Sequence, residues 1–286
     1  MIQAKFPTYH RELELALRLA REAGAAILDY YDQPIVVEQK RDASDFEPVT
    51  QADRTANELI VSGIREAFPD DGILAEESVD TDRRLEKPRV WVIDPMDGTN
   101  GFINRDGDFA VQIGLAVKGN PVLGVVYQPL PGVLYRAVQG GGSWIERAGF
   151  PPQLATVSNN EEPATMRLAA SRSHRSPRMD QVVQAFGFKE EVRRGSVGVK
   201  IGLIIERQCD LYIHLSSRTK QWDTCAPEII LRESGGRLTD LFGGELRYNA
   251  RQVKNENGVV ATNGWSHPMV IGKLAPLLAG FGRLPV

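Results

Sequence analysis

The apolar positions of this chain change rhythm along its length. Between 9 and 31, Leu13, Ala16, Leu17, Ala20, Ala23, Ile27 and Tyr30 recur at three- and four-residue steps, which predicts an amphipathic helix. Lys40-Arg41-Asp42-Ala43-Ser44-Asp45 is polar and predicts a mobile loop. A second helix is predicted over 50–68, with Ala52, Ala56, Leu59, Ile60 and Ile64 as its stripe and Pro69 as its stop. Short apolar runs follow at 72–75 and, more strongly, at 90–93. Strand-like runs at 109–117, 122–127 and 133–138 are separated only by Gly119-Asn120-Pro121 and Pro131-Gly132, which predicts hairpins and an antiparallel meander. Gly140-Gly141-Gly142 and Pro151-Pro152 suggest a boundary. Beyond it strands at 166–170, 211–215, 237–241 and 259–262 alternate with helices at 177–186, 197–207, 223–234 and 266–279. The expectation is an N-terminal α+β domain over 1–150 with an antiparallel sheet, then a C-terminal α/β domain over 151–286.

Composition narrows the class without changing this picture. With 286 residues, 42% hydrophobic and 25% charged, the chain is not disordered and needs no staples. Lys and Arg number 34 against 37 Asp and Glu, so the net charge of −3 gives no basic excess for a general nucleic-acid surface. Cys209 and Cys225 allow one disulfide at most, which fits a reducing compartment. No apolar run reaches the roughly 18 residues of a membrane span, and His10, Arg11, Glu12 and Glu14 break up any signal peptide. A cytoplasmic protein with neither nucleic-acid nor membrane partners is expected.

The chemistry gathers at element ends. Glu76-Glu77 closes one apolar run, Asp94-Pro95-Met96-Asp97-Gly98-Thr99 closes another, Asp53 lies in the first turn of the second helix, and Asp223 opens a later one. Each has a local reading. Asp-Pro and Asp-Gly are turn formers, Thr50 with Asp53 resembles a capping box, Asp223 is a reasonable helix cap, and Glu76-Glu77 suits a solvated strand end. If the segments converge, the crowded carboxylates need cations or protons. Two such charges 4 Å apart repel by about 4 kcal/mol at a protein-like dielectric. The donors are hard oxygens with no histidine or cysteine among them, which favours Mg²⁺ or Mn²⁺ over zinc.

Asp94-Pro95-Met96-Asp97-Gly98-Thr99, with Ala75-Glu76-Glu77-Ser78 upstream and Trp222-Asp223-Thr224-Cys225-Ala226-Pro227 downstream, resembles the inositol monophosphatase superfamily of Mg²⁺-dependent, lithium-sensitive phosphatases. Val49-Thr50-Gln51-Ala52-Asp53 fits a further motif of that family. The resemblance implies a layered α-β-α-β-α sandwich and two or three Mg²⁺ ions. It implies metal ligands at Glu76, Asp94, Asp97, Asp223 and Asp53, with the backbone carbonyl of Met96. Asp53, Thr99 and Glu76 become the catalytic group, and the amides of Gly98 and Thr99 bind the phosphate. Family members usually carry Ile or Leu at the position of Met96, where only the carbonyl is needed.

Lys220-Gln221-Trp222-Asp223-Thr224-Cys225-Ala226-Pro227-Glu228 and Phe102-Ile103-Asn104-Arg105-Asp106-Gly107-Asp108-Phe109 are similar to the 3′(2′),5′-bisphosphate nucleotidase branch. That branch removes the 3′-phosphate of adenosine 3′,5′-bisphosphate, a by-product of sulfur metabolism. Ser171, His174, Ser196 and Lys200, with Arg172 and Arg175, could then hold a second phosphate; solvated surface charges are the alternative. Ser216 stands where inositol monophosphatases typically place an acidic residue, and this weakens an inositol substrate. Asn100-Gly101 replaces the Lys-Glu usual in the nucleotidase branch, which keeps inositol monophosphatase or a broader sugar-phosphate phosphatase as an alternative. A catalytically silent metal- or nucleotide-binding regulatory protein is the alternative of another class. The partner expected is a small phosphorylated metabolite, on a monomer or homodimer.

Overall fold

The computed structural model describes residues 9–39, 48–172 and 175–286; the polar loop predicted at 40–45 and His174 lie outside the described residues. The chain opens with α1 (His10–Tyr31), a small ribbon of β1 (Glu38–Gln39) and β2 (Pro48–Val49), and α2 (Gln51–Ala67). Ala16, Ala20, Ala23 and Ile27 of α1 and Ala56, Ile60 and Ile64 of α2 are buried along the predicted stripes, and Leu15 and Leu19 of α1, outside the predicted stripe, are buried beside them.

A seven-stranded sheet follows. It consists of β3 (Gly72–Ala75), β4 (Arg89–Asp97), then, after the short helix α3 (Thr99–Ile103), β5 (Ala110–Val117), β6 (Asn120–Gln128), β7 (Val133–Val138), β8 (Ser143–Arg147) and β9 (Gln153–Leu154), in chain order. β3 runs parallel to β4, and every later pair is antiparallel. The remaining elements are β10 (Arg167–Ser171), α4 (Pro177–Phe186), β11 (Glu190–Arg194), α5 (Val197–Ile205), β12 (Leu211–His214), α6 (Gln221–Glu233), β13 (Arg237–Thr239), β14 (Val259–Thr262) and α7 (His267–Gly280). Their strands form a five-stranded sheet in the order β11-β10-β12-β14-β13.

Strand alternation sorts the layers. Val111, Ile113 and Leu115 of β5 pack with α1 and α2. The opposite face meets α6 closely: a Cβ on Gly114 would lie 2.7 Å from Cys225 Sγ, and one on Gly124 would lie 2.5 Å from the Ala226 carbonyl oxygen. Ala169, Tyr212, Val259 and Ala261 of the second sheet share a core with α5 and α6, while Leu168, Ala170, Leu211 and Ile213 pack with α4 and α7. The order is helices, sheet, helices, sheet, helices, the layered α-β-α-β-α sandwich expected. Both cysteines are buried and free. No helix of the described residues is long and apolar enough to cross a membrane.

Four departures have local causes. β4 continues to Asp97 where a turn at 94–99 was expected, because a bulge absorbs Pro95. β8 and β9 extend the meander beyond 138. β11 has the sequence Glu-Glu-Val-Arg-Arg, whose polar run carries no strand signal. α6 starts two residues earlier than expected, so Asp223 is the third helical residue rather than the N-cap residue, and its side chain reaches back to the Lys220 amide.

Candidate active site

β4 supplies two carboxylates three residues apart, a spacing that places side chains on opposite faces of a regular strand. Asp94 lies opposite Gln112 of β5 and Asp97 lies opposite Ala110, so three steps on one strand match two on the other. This bulge turns both aspartates onto the face that looks toward α5 and α6. β3 ends with Ala75 paired to Ile93, and the Glu76 amide donates to the Ile93 carbonyl at 3.1 Å. Glu76 thereby comes beside Asp94, and the two carboxyl groups share a hydrogen bond.

Asp53 and Asp223 arrive from helices, each at the third helical position. Asp53 Oδ2 accepts from the Thr50 amide at 2.7 Å and the Thr50 hydroxyl at 2.6 Å. Asp223 Oδ2 accepts from the Lys220 amide at 2.7 Å. One oxygen of each carboxylate thus closes a helix end and locks the rotamer. Asp53 Oδ1 accepts from Thr99 Oγ1 at 3.1 Å, and that hydroxyl also lies 3.4 Å from the Met96 carbonyl oxygen. The capping reading and the convergence reading of the sequence both hold for Asp53.

Asp94, Asp97 and Asp223 each present an oxygen, and these oxygens lie within 4.8 Å of one another. Burial raises the Asp94 carboxyl well above the usual range, reinforced by Glu76, Asp97 and Asp223. Burial also raises Asp97, against the pull of Lys200 and its hydrogen-bond donors. It pushes Asp223 to about 8 and Asp53 to about 7. Lys200, 1% exposed, is pushed down to about 8 by burial despite Asp97, Asp108 and Asp223. Crowded, desolvated oxygen donors with one weakened ammonium fit a hard divalent cation.

A cavity of about 170 Å³ adjoins the cluster, lined among others by Gly98, Thr99, Ser171, Lys200, Tyr212 and Arg218. Gly98 caps α3 at φ +96°, where a Cβ would meet the Asp108 carbonyl oxygen at 2.3 Å. Lys200 reaches the cavity with its ammonium donating to the Gly195 carbonyl at 2.8 Å, over the Tyr212 ring. Ser196 does not line it. Its hydroxyl is fully buried, donates to Asp97 Oδ2 and accepts from the Val199 amide, so its capacity is taken. Arg172 pairs with Asp106 and Asp108, and Arg175 pairs with Asp180 and Glu191. Neither arginine is the open cation the sequence suggested. Gln112, Tyr212, Arg218 and Thr219 were not foreseen. Only Gln112 gave a signal, as a lone amide inside an apolar run.

A layered fold with a bulged strand delivering paired aspartates to a phosphate-sized cavity defines a class. The chain matches the inositol monophosphatase family over residues 9–277 and belongs to it, as a phosphatase of that family. It is 37% identical over 243 residues to the 3′(2′),5′-bisphosphate nucleotidase CysQ of Salmonella typhimurium, covering 84% of this chain and 95% of that one. Among solved structures, the Thermotoga maritima IMPase superposes with a TM-score of 0.80 at 26% identity, covering 95% of this chain and all of that one. CysQ from Bacteroides thetaiotaomicron gives 0.75 at 28% identity, covering 90% and 98%.

Proposed function

We propose that this protein is a Mg²⁺-dependent phosphomonoesterase that hydrolyses the 3′-phosphate of adenosine 3′,5′-bisphosphate. The observation that carries the hydrolytic reading is the joining of Thr99 to Asp53 beside three mutually close aspartates. Glu76, Asp94, Asp97, Asp223 and Asp53, with the Met96 carbonyl, would hold the ions. A divalent cation at such a site acidifies water, draws charge from the phosphoryl oxygens and offsets charge on the leaving oxygen. The chain's own part is proton handling and alignment. Thr99 Oγ1 accepts a hydrogen bond from the attacking water while donating its own proton to Asp53 Oδ1. Asp53, fixed by the Thr50 amide and hydroxyl and joined to Thr99, takes up the proton. The amides of Gly98 and Thr99 orient the phosphate. The new P–O bond forms in line as the ester P–O bond breaks, with inversion at phosphorus and no phosphoenzyme. The 3′-oxygen leaves as a hydroxyl by taking a proton from solvent water, and Asp53 returns its gained proton to solvent.

The nucleotide assignment is supported by the CysQ relatives and by the cavity chemistry. Lys200 and Arg218 line the pocket beside the phosphate end, as a second, non-reacting phosphate requires. Ser216 is neutral and sits 2.9 Å from His214 Nε2, so no carboxylate at that position receives inositol hydroxyls. The test compares kcat/KM on adenosine 3′,5′-bisphosphate with that on inositol 1-phosphate under Mg²⁺. At least a tenfold preference for the bisphosphate is expected; the reverse preference would return the protein to the inositol branch, and no phosphate release from either would favour a silent regulatory protein.

A further inference from the structure

Asp97 Oδ2 accepts three hydrogen bonds: from Gln112 Nε2 at 2.7 Å, from Ser196 Oγ, and from the Gly198 amide at 3.0 Å. A carboxylate oxygen has about two lone-pair sites, so Oδ2 is saturated and Oδ1 is the oxygen with capacity left. Two of the donors come from the start of α5. The third comes from the facing side, on β5. Together they grip the carboxylate between the two halves of the chain.

Gln112 is the unusual member. Its side chain is fully buried, and its Oε1 has no partner. An acceptor left in that state costs about 1–3 kcal/mol. The other residues on this face of β5 are Ala110, Gly114 and Ala116, which offer it nothing polar from their side chains. On packing alone a methionine or leucine would serve better. The bond to Asp97 is the one hydrogen bond the side chain makes within the described residues. We propose that Gln112 is a positioning residue that fixes the rotamer of Asp97 and so aims its second oxygen at a divalent cation shared with Asp94 and Asp223. This rests on the metal reading given above and adds to it a residue that touches neither ion nor substrate.

Gln112→Met removes the donor and the orphaned acceptor at nearly constant volume, and Gln112→Leu repeats the test with a different shape. Mn²⁺ binding to the substrate-free protein, followed by electron paramagnetic resonance, should weaken about 10- to 100-fold, as for other partners of metal ligands. The melting temperature of the ion-free protein should hold or rise. In turnover assays the Mg²⁺ concentration for half-activation should rise, while kcat at saturating Mg²⁺ and KM for the bisphosphate stay near the parent values. Whichever substitution keeps the parent melting temperature carries the comparison. Unchanged Mn²⁺ affinity in that variant overturns the proposal. So does a fall in melting temperature in both, which would make Gln112 a structural residue. If the parent protein itself binds no Mn²⁺, the metal reading fails first, and the two failures are told apart by that control.

Discussion

At the scale of single residues, burial decides what each carboxylate can do. Asp94 is 1% exposed and faces Glu76, Asp97 and Asp223, so its ionised form is unfavourable without a cation. Asp94→Asn should lower kcat by roughly 10²-fold or more, the scale of losing a preorganised electrostatic group, while circular dichroism stays that of the parent. Near-normal turnover would remove Asp94 from the ion site. Lys200 makes a different prediction. Its ammonium reaches the cavity at 2.8 Å from the Gly195 carbonyl. Lys200→Ala should raise KM for the bisphosphate more than KM for a monophosphate, and equal increases would show that Lys200 meets no second phosphate. The sequence exposed these residues by type, since Asp and Lys at element ends are visible in a string. It misplaced Ser196 because a serine at a helix start reads the same whether it faces a ligand or caps the helix onto a neighbouring carboxylate.

The elements show why some of the site was legible and some was not. α1 and α2 carry strong three- and four-residue stripes, so their buried faces could be read directly. The bulge between Asp94 and Asp97 could not, because it depends on how β4 registers against β5, and no local pattern encodes that register. α6 hides a further feature. Glu228 is buried midway along it, accepts from the Tyr248 hydroxyl at 2.6 Å, and lies 3.3 Å from Arg232. Burial raises its carboxyl from 4.5 to about 7 despite those partners. The folded state therefore holds a proton that the unfolded chain releases, and stability from this group is lost as pH climbs from about 4.5 through 7. At about 1.4 kcal/mol per pKa unit the loss is at most roughly 3–4 kcal/mol. Urea denaturation at pH 5 and pH 8 should show Glu228→Gln losing less stability between the two than the parent. Parallel losses would mean that Glu228 is ionised in the fold throughout.

For the whole molecule, the two halves of the sequence meet at the charge they cannot carry alone. Asp53, Glu76, Asp94 and Asp97 come from the first half, and Asp223 and Lys200 come from the second. Four of these carboxyls are shifted upward, so in the ion-free protein each acts on stability with the same sign as Glu228. Stability present at acid pH is lost as pH rises through the folded values, about 7 for Asp53 and about 8 for Asp223. A divalent cation binds the ionised cluster in the folded state alone, so its effect must grow over the same pH window. At a concentration a hundred times its Kd, Mg²⁺ should stabilise the protein by about 2.7 kcal/mol, which is about 4–5 °C in melting temperature for a chain of 286 residues. Thermal melts with EDTA and with Mg²⁺ at pH 6 and pH 8.5 check this directly. The gap should be wider at pH 8.5, and Asp94→Asn should raise the EDTA melt and shrink the gap. A gap independent of pH would mean that the ion is held by groups other than these carboxylates, whatever their arrangement in the fold.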